Sequence, residues 1–291
     1  MSEKKMKSVN SLSGGKTSSY LAVNYPADRN VFALVTTTDK KCLFPDKKIR
    51  QFVSDKIKKE FIGTLEMNDI IYTMMDLEQM IGSEIDWVNS KPFDEIILRN
   101  NGETKYLPNK VQRFCTIEMK LKPIFHWWAE TFNKEPVEMR IGFRANEKRR
   151  AKNMIERCDE NGIESFKATF QKNKHGKNKW ESIAYRKPSF PLIENMIFKD
   201  TIEKFWIGKN IRFAYSNNCV GCFHRNPIFL KHMSTKAPEQ FQWFVDQENK
   251  QAQWKTDVNY QQIKNSFEQI DLFDQNFNVD ENGCDSGVCG V

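Results

Sequence analysis

The chain has 291 residues, and its 45 lysines and arginines against 38 acidic residues give a formal charge of +7. At 39% hydrophobic and 29% charged residues it has the composition of an ordinary soluble protein, long enough for one large core and a small appended lobe. No apolar run approaches the ~20 residues a membrane-spanning helix needs, and no apolar stretch follows Met1-Ser2-Glu3-Lys4-Lys5, so a membrane protein is excluded and a cytoplasmic location is expected.

Lys7 to Leu12 reads as a short strand, followed by the turn Ser13-Gly14-Gly15-Lys16-Thr17-Ser18 and a helix from about Thr17. Val31 to Thr37 is a continuous apolar and β-branched run, the pattern of a strand buried on both faces. Pro45-Asp46 opens a helix in which Ile49, Phe52, Val53, Ile57 and Phe61 recur at helical spacing. A further helix runs from Thr116 to Phe132, with Pro123 as a point of kinking, and Val137 to Phe143 alternates like a strand. Residues 159–185 are polar and lysine-rich, which reads as an exposed insertion, and Asp200 to Trp206 is a late helix. This succession predicts an α/β fold, a parallel β-sheet flanked by helices, with a helical, cysteine-containing C-terminal portion.

The turn after the first strand has the parts of an anion cup. Gly14 and Gly15 let backbone amides turn inward, a helix N-terminus adds N–H donors and positive dipole, and Ser13, Thr17, Ser18 and Lys16 supply hydroxyls and a cation. A glycine turn that merely caps a helix is the plainer alternative. A Walker A loop shares the Gly15-Lys16-Thr17 ending but requires glycine where Asn10 stands.

The Ser-Gly-Gly-x-x-Ser pattern of Ser13 to Ser18 resembles the signature shared by ATP pyrophosphatases and phosphoadenosine phosphosulfate (PAPS) reductases of the PP-loop superfamily, with Thr17 where many ATP-splitting members carry Asp. The segment from Arg113 to Pro123 is similar to the Cys-Cys-x-x-x-Lys segment of cluster-bearing sulfonucleotide reductases, with one cysteine, Cys115, where that segment has two. Ile141 to Arg150 resembles that family's strand followed by an arginine, which implies that Arg144 faces the nucleotide from a strand's C-terminal end. A surface ion pair is the other reading of Arg144.

Seven cysteines, at 42, 115, 158, 219, 222, 284 and 289, are an odd and unevenly spaced set, better suited in a reducing compartment to metal ligation or thiol chemistry than to disulfides. Cys219-Val220-Gly221-Cys222 is a Cys-x-x-Cys pair that by itself fits a redox couple, half a zinc site or half an iron–sulfur site. The resemblance implies a cluster held by Cys115, Cys219 and Cys222, with the fourth position open or filled by Cys284, Cys289 or His224; zinc on Cys219, Cys222, Cys284 and Cys289 is the structural alternative. The family also carries a cysteine near its C-terminus, which makes Cys289 the candidate nucleophile and Cys284 the thiol that relieves it.

The resemblance thus implies a PP-loop nucleotide-binding domain over residues 1–158, the basic insertion at 159–185, a helical portion with the cysteine pair at 186–273, and a tail at 274–291. It implies an adenine nucleotide (ATP, PAPS or APS) as ligand and a thiol reductant or sulfur donor as partner. Three functions follow: sulfonucleotide reduction by thiol attack, ATP-dependent adenylation and sulfur transfer onto a nucleic acid, or a non-catalytic nucleotide- or nucleic-acid-binding module. The basic segments Glu147 to Arg150 and Lys167 to Lys179 favour an anionic partner, a nucleotide or a nucleic acid.

Overall fold

The computed structural model describes residues 5–99, 102–172 and 174–266. Its strands are β1 (Ser8–Leu12), β2 (Arg29–Leu34), β3 (Thr36–Thr37), β4 (Gly63–Thr64), β5 (Ile85–Asn89), β6 (Leu98–Arg99), β7 (Thr104–Lys105), β8 (Val137–Ile141), β9 (Glu164–Lys172) and β10 (Asn178–Ser189). Its helices are α1 (Lys16–Asn24), α2 (Lys47–Ile57), α3 (Asp69–Ile81), α4 (Phe93–Ile96), α5 (Phe114–Thr116), α6 (Lys122–Thr131), α7 (Lys148–Ile155), α8 (Pro191–Glu194), α9 (Lys199–Trp206), α10 (Pro227–Lys236), α11 (Pro238–Gln247) and α12 (Tyr260–Asn265).

Six strands form one sheet in the order β5-β2-β1-β8-β10-β9. Every neighbouring pair is parallel except β10 with β9, which closes one edge as an antiparallel hairpin. The alternation of β2 explains the helical layers. Phe32 and Leu34 face a core shared with Val53, Ile57, Ile71 and Met74 of α2 and α3, while Val31 and Ala33 face one shared with Ile124, Phe125 and Trp128 of α6. The α/β sheet with helices packed against it is therefore present.

Asp46 starts α2 by accepting from the amides of Lys48 at 2.7 Å and Ile49 at 3.2 Å, an N-cap that satisfies donors no helical carbonyl reaches. Around Pro123 the helix runs through a π-helical turn, Ile117–Leu121, directly into α6, with the proline in the first turn of α6. The lysine-rich stretch at 159–185 is built into the sheet: its distal part is the β9–β10 ribbon, and β10 continues to Ser189 alongside β8.

A third core gathers the C-terminal helices over the ends of the strands. Phe241, Phe244, Trp254 and Tyr260 pack with Leu65, Phe93, Met119 and Val220, and Cys115 and Cys219 lie against this cluster. Burying this much aromatic surface fixes the cysteine segment firmly, since each such side chain contributes roughly 1.5–3 kcal/mol when fully buried. Among the described residues, no helix is long and apolar enough to cross a membrane.

Candidate functional site

The strand order reverses at β1, with β2 on one side and β8 on the other, and in such sheets ligands bind outside the carboxyl ends at that switch point. Two chain exits meet there. Ser13-Gly14-Gly15 leaves β1 into α1, and Gly142 leaves β8 so close that a Cβ on it would lie 3.4 Å from the Ser18 Cα.

The loop is held by its own hydroxyls. The Ser13 amide donates to Ser18 Oγ at 3.1 Å, and that hydroxyl donates to the Gly15 carbonyl at 3.1 Å. Gly14 adopts φ +77°, where a side chain would be strained and its Cβ would meet Ile70 at 2.7 Å. No side chain caps α1, which leaves its N-terminal turn as a donor surface of the kind that binds phosphate. Lys16 is paired with Glu203 of α9, and its carbonyl accepts from Trp206 Nε1 at 3.0 Å. Thr17 is half-buried, near Gly142. Arg144 follows β8 and is buried, its Nε donating to Glu147 at 3.0 Å, and the same carboxylate group also holds Arg150. The arginine is thus at the expected end of the expected strand, in an ion pair.

Against this loop lies the segment that carries the cysteine pair. The space a Cβ on Gly15 would need is taken by Asn217, whose Nδ2 would be 2.3 Å away. Cys219 is two residues farther on, and two residues of chain span at most about 7 Å. The carbonyl of Leu65 accepts from the Val220 amide at 2.8 Å, and Glu66 forms an isolated bridge with Cys219. Gly221 does not have positive φ; its lack of a side chain makes room for the Phe244 ring, whose nearest atom would be 2.2 Å from a Cβ.

Cys115, Cys219 and Cys222 share one environment. Burial pushes the Cys115 thiol up to about 11, with the charge of Cys222 adding to the rise. Cys219 is raised well above its ordinary value, first by burial, then by Glu66, with Cys222 and Cys115 also contributing. Burial raises Cys222 as well, opposed by the His224 amide and by Arg225, Lys120 and Arg113. Lys120 and Glu66 form a buried ion pair of 3.1 Å beside them. Burial works against the Lys120 charge, but Glu66 and Cys219 outweigh it and its pKa is raised. Either charge alone would cost several kcal/mol to bury, so the pair is kept by mutual need.

As bare thiols, these three side chains would be neutral and unreactive at neutral pH. Soft metal ions reverse that state, because coordination takes the thiolate form, and an all-sulfur donor set suits iron–sulfur centres or zinc. Glu66 Oε2 and His224 Nε2 are buried beside the thiols with no hydrogen-bond partner. The chemistry of the donor set therefore fits a cluster. Among the described residues no three His, Cys, Asp or Glu side chains converge tightly enough for one metal ion; cluster ligands bind different iron atoms and have no such requirement. Cys284 and Cys289 lie outside the described residues.

Cys42 and Cys158 stand apart. Burial pushes Cys42 up to about 12 in the third core, and Cys158 is raised by burial near Glu164. Glu66 and Asn217 carry no sequence signal, since each reaches the site only through long-range folding. Lys120 lies within the recognisable Cys115 segment, five residues beyond that cysteine in the π-helical turn Ile117–Leu121.

The fold and site define an α/β protein with a glycine turn at the switch point of its sheet and a half-buried cysteine pair on the segment packed against that turn. No family model, curated protein or solved structure matches the chain.

Proposed function

We propose that this protein binds an adenine nucleotide at Ser13, Gly14, Gly15 and Ser18 and carries out nucleotide-dependent sulfur chemistry of the PAPS reductase-like kind. The observation that supports the reading most is the packing of Asn217 on Gly15, which brings the segment that carries Cys219 and Cys222 against the glycine turn. Cys115, Cys219 and Cys222 would hold an iron–sulfur cluster, which when bound supplies an electron- or sulfur-handling centre beside the nucleotide.

In the reductase version, the Cys289 thiolate attacks the sulfur of a bound sulfonucleotide, and the adenine nucleotide leaves with the bridging oxygen. The enzyme then carries a thiosulfonate. Cys284 attacks the Cys289 sulfur, sulfite departs with the bonding pair, and a thiol reductant reopens the resulting disulfide. A second reading, ATP-dependent adenylation followed by sulfur transfer onto a nucleic acid, is favoured by the lysines of the β9–β10 ribbon.

Sulfite release from PAPS and APS separates the two. Cys289→Ser is expected to bring release to background while leaving nucleotide affinity unchanged. Full release by Cys289→Ser alongside loss in Cys219→Ser would remove the tail from the mechanism. No release from the wild type would remove the reductase version altogether. Both variants must retain nucleotide binding, because metal loss can unfold a domain.

A further inference from the structure

The lysine-rich ribbon does not lie at the switch point. In the parallel pairing of β10 with β8, Ser189 stands opposite Arg140 and Arg186 opposite Val137, so Ser189 is at the loop's end of the sheet. The rest of β10, back to Asn178, runs past the start of β8 in the opposite direction. At about 3.3 Å per residue, Trp180 lies roughly 30 Å along the strand from Ser189.

Every described residue from Gln171 to Ser182 is exposed, so this part of the ribbon has no core on either face. Lys167, Lys172, Lys174, Lys177 and Lys179 crowd onto it, with Glu181 as the acidic residue of that stretch, paired with Lys179 at 2.6 Å. Trp180 is 52% exposed in a segment where no core needs it, whereas Phe170, 38% exposed, stacks on the buried Phe125 at the ribbon's base. The ladder is irregular here: between Lys179 and Glu181 the partner strand advances from Gln171 to Ala168, one residue more. Such a bulge twists a ribbon and re-aims its side chains. Lys134 adds its ammonium 4.2 Å from the centre of the Phe170 ring.

We infer that the distal β9–β10 ribbon is a docking surface for single-stranded nucleic acid, separate from the nucleotide loop. Closely spaced cations track a phosphodiester backbone, and an exposed indole offers a face on which a base stacks. Ribose and deoxyribose strands share both features. A duplex hides its base faces, which leaves Trp180 without a use. The inference is independent of the sulfur chemistry, since the ribbon and the loop lie toward opposite ends of the sheet.

The test is fluorescence anisotropy of the full-length protein with a labelled, mixed-sequence single-stranded DNA oligonucleotide. Binding should weaken with salt, with a slope of log K on log salt of about −3 for some four phosphate contacts. Changing Lys172, Lys174, Lys177 and Lys179 together to Glu should weaken binding more than about tenfold, and Trp180→Ala by roughly tenfold. Both variants alter exposed residues, so unchanged melting curves and unchanged calorimetric affinity for an adenine nucleotide should accompany the loss. Absence of binding overturns the inference. So does equal binding of duplex DNA and heparin with no effect of Trp180→Ala, which is mere adhesion of polyanions. If the oligonucleotide binds in this way and no adenine nucleotide does, the ribbon stands and the reading of the loop fails.

Discussion

Gly15→Val is expected to abolish adenine-nucleotide binding, with an affinity loss above about 100-fold, or roughly 3 kcal/mol. A single methyl group at this position meets only the end of the Asn217 side chain, which could swing aside. The second and third carbons of valine demand more: the segment carrying Asn217 must retreat, or the loop must turn its amides away from the phosphate position. Either movement opens the crevice between the loop and Cys219. Isothermal calorimetry reads the loss directly, and Gly82→Asn is the control. Gly82 caps α3 at φ +61° with no atom within 4 Å of where a Cβ would stand, and asparagine tolerates that backbone. Retained affinity in Gly15→Val, with the control normal, removes the phosphates from this loop.

Protein prepared without oxygen is expected to be brown, carrying iron and acid-labile sulfide at about four of each per chain. Cys115→Ser, Cys219→Ser and Cys222→Ser should each lose most of both, because every one of these thiols belongs to the same mutually interacting group. The expected consequence for stability is also large. Three half-buried thiols, a Glu66–Lys120 ion pair and unpartnered polar atoms on Glu66 and His224 form a site that metal binding would complete, and the free energy of binding a metal is then free energy of folding. The melting temperature should therefore fall on exposure to an iron chelator. Stoichiometric zinc without iron would contradict the cluster and promote a structural site built on Cys219, Cys222 and the tail cysteines.

Local pattern reveals the glycine-turn half of the site well. Glycines at 14 and 15 after a short strand, the β-branched run into β2, and Asp46 ahead of α2 all have short-range causes that a sequence displays. Helix α3 was also open to such a reading, since Ile70, Ile71, Met74 and Leu77 recur at helical spacing. The β10 strand was harder, because its exposed half carries none of the apolar alternation that marks its buried half near Tyr185. The site's remaining parts were hidden for another reason. Glu66 meets Lys120, and Asn217 meets Gly15, only after the sheet and the C-terminal helices have assembled. Gly221 likewise owes its place to a long-range neighbour, the Phe244 ring, which leaves no room for a Cβ there. The ribbon's lysines were visible as charge, but which end of the sheet they occupy depends on the β8–β10 register.

The proposed adenine nucleotide sits on the loop beside Cys115, Cys219 and Cys222. Mass spectrometry of the small molecules released from anaerobically purified protein tests its presence most directly. The expected result is an adenine nucleotide approaching one per chain, absent from Gly15→Val prepared in the same way. A wild-type protein that releases none, and gives no heat of binding with ATP, PAPS or APS, would contradict it.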